Sequence, residues 1–103
     1  MTLDRHESAR KGFESLVDPG EGITIDRTID YFQNALDAGQ QDPHFLNDFA
    51  FALLSRGRPD DLVRGADLAA RARDVGGRMD DDGDLAQAAR FNWAVALKRL
   101  GLH

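Results

Sequence analysis

A chain of 103 residues is the length of one domain with room for a core, and 42% apolar with 30% charged residues is the balance of a globular protein. A net charge of −5 and a pI of about 5.0 deny the chain the basic face that nucleic-acid binding requires. The absence of cysteine removes disulfides and thiolate metal sites, and three histidines without ligand spacing do not replace them.

Along the chain the apolar residues recur with helical period. Over residues 3–17, His6, Ala9, Phe13, Leu16 and Val17 fall on one face. Charges throughout residues 4–14 leave no apolar core for a signal peptide, and no apolar run approaches the roughly 20 residues needed to cross a bilayer. The expectation is a cytoplasmic protein without membrane contact. Asp18-Pro19-Gly20-Glu21-Gly22 is a turn. A second helix starts at Thr24 or Asp26 and runs to Gly39, burying Ile25, Ile29, Phe32, Ala35 and Leu36.

The third helix is the most apolar. Eight of the ten residues from Phe45 to Leu54 are apolar, so it must be covered on more than one side. Asp42 suits the N-cap, Pro43 the first turn and Gly57 the C-terminal cap. Phe45, Leu46, Phe49, Ala52 and Leu53 form the broad buried face, while Asn47, Asp48 and Ser55 mark the polar one. Phe51 lies within that polar stripe, either under a neighbouring helix or in a groove.

A fourth helix opens at Pro59-Asp60-Asp61, with Leu62, Ala66, Ala69 and Ala72 as its stripe, and ends at Gly76-Gly77. Asp60→Arg64 and Asp67→Arg71 are pairs of favourable order. The final helix begins at Asp84, with Gln87 completing a capping box, and buries Leu85, Ala89, Trp93, Ala96, Leu97 and Leu100 before Gly101. The predicted architecture is all-α: five antiparallel helices in a single domain, with hairpins over 3–40 and 43–76 and a last helix over 84–100.

The chain also resembles itself. A shift of 37 residues lays Gly20, Ile29, Phe32 and Ala35 on Gly57, Ala66, Ala69 and Ala72, and a shift of 44 lays Phe49, Ala50, Leu53 and Gly57 on Trp93, Ala94, Leu97 and Gly101. Asn92 through Gly101 resembles the first helix of a tetratricopeptide repeat (TPR), with its large residue, adjacent small residue and closing Leu-Gly. Phe32-Gln33-Asn34-Ala35-Leu36 before Pro43 resembles the second helix, and Phe49-Ala50 through Gly57 a first helix again. The long spacing is similar to that of repeats found ahead of caspase-like CHAT domains. The resemblance implies about two and a half TPR-like hairpins in a right-handed solenoid that binds a peptide or protein segment in its concave groove, without catalysis or cofactor.

In that family the groove is lined by the first helix of each hairpin. The corresponding positions here are Arg10 on the first helix, Asn47 and Phe51 on the third, and Phe91, Val95, Lys98 and Arg99 on the last. Glu14 and Asp48 stand beside them and argue against the carboxylate clamp that some members carry. The alternative is a homo-oligomer, a two-fold dimer through the apolar face of the last helix.

No constellation points to an enzyme. Asp80-Asp81-Asp82-Gly83-Asp84 does not fit a calcium loop, because placing Gly83 sixth makes Arg78 the first ligand and Ala89 the twelfth. His6-Glu7 lacks the second histidine of a metalloprotease helix, and Gly20-Glu21-Gly22 lacks the rest of a phosphate loop.

Overall fold

The computed structural model describes residues 4–17, 24–79 and 83–101, with residues 17, 76–79 and 83–86 described by their backbone alone. They form helices α1 (Arg5–Val17), α2 (Ile25–Asp37), α3 (Pro43–Arg56), α4 (Pro59–Met79) and α5 (Gly83–Leu100), with no strand among them. The chain is all-α. The expected turn at 18–22, the aspartates at 80–82 and the side chains of Asp84 and Leu85 lie outside the described residues. The chain divides into two compact units, Met1–Gln41 and Asp42–His103, with the boundary between the two predicted hairpins.

In the first unit α1 packs on α2. Ile29, Phe32 and Ala35 of α2 are buried, as their spacing predicts. On α1 the spacing misleads. Phe13 is 48% exposed and His6 is exposed, whereas Ser8, Gly12 and Ser15 are the buried positions. The reason is closeness of approach. A Cβ at Gly12 would lie 2.8 Å from the Phe32 ring, so this crossing admits only small residues. Ser15 Oγ sits 2.8 Å from Thr28 Oγ1, and both hydroxyls are buried, so each supplies the other's partner. At the far end Gln40 Nε2 lies 3.4 Å from His6 Nδ1. Gly39, at φ 98°, turns the chain after α2 in a conformation that glycine takes without steric cost.

The second unit is built on α3. Asp42 accepts the His44 N–H at 2.9 Å, Pro43 opens the helix, and Gly57 closes it at φ 73°, its N–H donating to the Leu53 carbonyl. Phe45, Leu46, Phe49, Ala50, Ala52, Leu53 and Leu54 are all buried. Each large side chain among them contributes about 2 kcal/mol by leaving water. The rings of Phe45 and Phe49 meet at a centroid distance of 6.1 Å, tilted by 51°.

Helix α4 buries Asp61, Gly65, Leu68, Ala69 and Ala72, a stripe displaced from the predicted one, since Leu62 and Ala66 are half-buried. Asp61 causes the displacement. Arg56 holds its carboxylate in a two-pronged bond of 2.7 Å on each oxygen, and the Arg58 N–H adds a third bond at 3.2 Å. Gly65 then comes against α3, where a Cβ would lie 3.3 Å from the Leu54 side chain. Helix α4 runs through Gly76-Gly77 to Met79, beyond its predicted end. Glycine lowers helix propensity but keeps the N–H that the next turn needs, so it does not by itself stop a helix.

Helix α5 buries Ala89, Asn92 and Ala96, with Trp93 half-buried. The Arg73 guanidinium of α4 lies 4.5 Å from the centroid of the Trp93 ring. Asp67 and Arg71 pair at 3.2 Å on the exposed side of α4. No described helix is long and apolar enough to cross a membrane.

Candidate functional site

Helices α3 and α5 are joined by two hydrogen bonds. Asn92 Nδ2 donates to Asn47 Oδ1 at 2.8 Å, and Arg99 Nη1 donates to the Leu54 carbonyl at 2.7 Å. Both pairs span 45 residues, so an advance along α3 is matched by an equal advance along α5. The two helices therefore run in the same direction in a fixed register. A residue spacing of 45 also superposes the two asparagines in the sequence, a signal that the 44-residue alignment passes over by one place.

Helix α4 packs against both helices. Its Gly65 meets Ala50 and Leu54, its Arg64 lies 5.4 Å from the Phe49 ring centroid, and its Arg73 covers Trp93. At about 100° of rotation per residue, Phe51 and Ser55 continue around α3 past Asn47 and the α5 seam, away from α4. Phe91, Val95 and Lys98 do the same on α5. These residues share the face opposite α4.

On that face Phe51 is 50% exposed and Phe91 69% exposed, Val95 is half-buried and Lys98 is exposed. Asn47, half-buried, is spent on Asn92 and forms the floor of the seam. Arg99 is spent on the Leu54 carbonyl, where its positive charge meets the C-terminal end of α3. The Ser55 hydroxyl donates back to the Phe51 carbonyl at 2.9 Å. Arg10 belongs to the first unit, where it is exposed and paired with Glu14 at 2.7 Å.

Asp48, half-buried on α3, has its pKa raised to about 6. Burial is the main cause, opposed by the nearby His44 and reinforced by Asp42. Asp61 is held below the usual carboxylate range, chiefly by its hydrogen bonds from Arg56. No group of three or more histidine, aspartate and glutamate side chains placed to hold a metal ion occurs among the described residues. What the face offers is contact: two aromatic rings, an aliphatic side chain, an amide floor and an ammonium group. No family model, curated protein or solved structure matches this chain.

Proposed function

We propose that the chain is a TPR-like repeat acting as a non-catalytic protein–protein interaction module, and that a peptide or protein segment lies on the α3–α5 face. The observation that carries this reading is the exposure of Phe51 and Phe91 on the side of two parallel helices that α4 does not cover. Exposed aromatics flanking a hydrogen-bonded floor are the composition of a binding patch. The arrangement as a solenoid of hairpins draws support from two further features. The contacts Ser15 to Thr28, Gly12 to Phe32 and His6 to Gln40 advance on α2 as they retreat on α1, the pattern of an antiparallel hairpin. The parallel register of α3 and α5 is what stacked repeats of one kind produce.

The test is capture of binding proteins by the intact chain and by a variant carrying Phe51→Ala with Phe91→Ala. Both side chains are half or more exposed, so the variant is expected to fold. Loss of captured proteins supports the reading, and retention of every one of them overturns it. A second reading, a homodimer through α5, is favoured by the 69% exposure of Phe91. Light scattering decides it: a dimer that Phe91→Asp converts to a monomer would replace the groove with a self-association surface.

A further inference from the structure

Helix α5 contains one carboxylate residue, Asp84 in its first turn, against three cations, Arg90, Lys98 and Arg99, in a chain whose net charge is −5. Its buried positions are Ala89, Asn92 and Ala96; Asn92 and Arg99 mark the α3 seam, and α4 meets it at Trp93. At about 100° of rotation per residue these positions fill one half of the helix. The other half holds Gln87, Arg90, Phe91, Ala94, Leu97 and Lys98. Leu97 is half-buried and the other five are exposed.

That spacing, with residues three, four and seven positions apart, is the stripe a helix presents to another helix. Ala94 at its centre offers only a methyl group, so a facing helix can approach closely. Arg90 and Lys98 flank it by one turn on either side, about 12 Å apart along the axis. No acidic residue stands three or four positions from either cation. Among the described residues neither makes a hydrogen bond or an ion pair. Arg99 is different, since it is held by the Leu54 carbonyl.

The charges decide what can cover the stripe. A second copy is a poor match. A two-fold axis at Ala94 lays Arg90 on Lys98 when the helices run antiparallel, and each cation on its own counterpart when they run parallel. Like charges then meet at both ends, which opposes association.

We propose that this outer stripe of α5 docks an acidic amphipathic helix of a partner protein. Such a helix lays small apolar residues over Ala94 and Leu97, beside the Phe91 ring. Its carboxylates, seven or eight residues apart, reach Arg90 and Lys98. The inference rests on the interaction-module reading and adds a partner chemistry, on the side of α5 turned from α3.

The probe is an end-capped helical peptide of about 18 residues, with an alanine and leucine ridge flanked by glutamates two turns apart. It is titrated into the full chain and followed by backbone NMR. Saturable shifts centred on residues 87–98 and weakened by salt are expected. Arg90→Glu and Lys98→Glu should each weaken binding about fivefold, since each turns an exposed ion pair into a repulsion. The doubly reversed chain should instead prefer the same peptide with lysine in place of glutamate. Both side chains are exposed, so circular dichroism should be unchanged, and loss of folding could not produce that exchange of preference.

Equal binding of the lysine peptide by the native chain would overturn the proposal. So would equally tight binding to phosphatidylserine vesicles, or a native dimer that buries residues 87–98. Shifts centred on residues 47–55 would overturn it while leaving the α3–α5 reading in place. If the peptide binds at 87–98 while the Phe51 and Phe91 variant keeps every captured protein, the α3–α5 face fails alone.

Discussion

Asn92 donates to Asn47 across 2.8 Å, and this amide pair, with 45 residues of chain between its members, sets how α3 and α5 lie together. Apolar helix faces tolerate sliding, whereas an amide pair has one register in which both members are satisfied. Removing either side chain leaves the other amide part-buried without this partner. Asn47→Ala and Asn92→Ala should each lower stability by about 1 kcal/mol. The double substitution should cost less than the sum of the two, a coupling that chemical denaturation of the three variants would measure.

Asp61 should be the most sensitive carboxylate of the second unit. It is 2% exposed and anchors Arg56 through two bonds of 2.7 Å. Asp61→Ala takes away the carboxylate that holds the Arg56 guanidinium and should destabilise the fold by about 3 kcal/mol. Because the folded-state pKa lies below the ordinary value, the contribution is complete above that value and is lost as pH falls through the depressed one. Urea denaturation across the acid range should show this loss in the native chain and not in Asp61→Asn.

Asp48 has the opposite sign. Burial holds its folded-state pKa at about 6, above the ordinary value of 3.8, so the protonated form favours folding. The stability it gives is complete below pH 3.8 and is lost as pH rises through about 6. Asp48→Asn should therefore stabilise the protein at pH 7 and remove the decline between pH 4 and pH 7, readable from denaturation midpoints at the two pH values.

In the first unit, two small side chains on one helix should respond in opposite directions. Gly12→Ala gains helix propensity yet drives a methyl to 2.8 Å from the buried Phe32 ring, and should destabilise by about 1–3 kcal/mol. Ser8, fully buried, has a hydroxyl without a hydrogen-bond partner among the described residues. Ser8→Ala removes that cost and should be neutral or stabilising by about 1 kcal/mol. Thermal denaturation of both variants would show the contrast.

These residues also show which parts of the molecule were legible in sequence. The ends of α3 were, because Asp42, Pro43 and Gly57 act on their own backbone within one turn. The apolar face of α2 was legible for the same reason, since period alone places Ile29, Phe32 and Ala35. The buried side of α1 was not. At a close crossing the core positions are small and polar, so Ser8, Gly12 and Ser15 imitate a solvated stripe while Phe13 imitates a core. Asp61 reads as a first-turn carboxylate at the helix N-terminus, and nothing in its spacing from Arg56 announces a buried pair. Of the residues marked for the groove, Phe51, Phe91, Val95 and Lys98 share the face opposite α4, whereas Asn47 and Arg99 serve the seam. That division depends on contacts 45 residues apart, which no local pattern encodes.

The stacking of Arg73 on Trp93 has a practical corollary. Trp93 is the chain's single tryptophan and lies in the second unit, while its single tyrosine, Tyr31, lies in the first with Arg27 6.0 Å from its ring centroid. Each unit thus carries its own chromophore beneath a cation. Indole emission will report the parting of α4 from α5, and phenol absorbance the environment of α2. The two halves of the molecule can be watched separately, in one sample, without attaching a label.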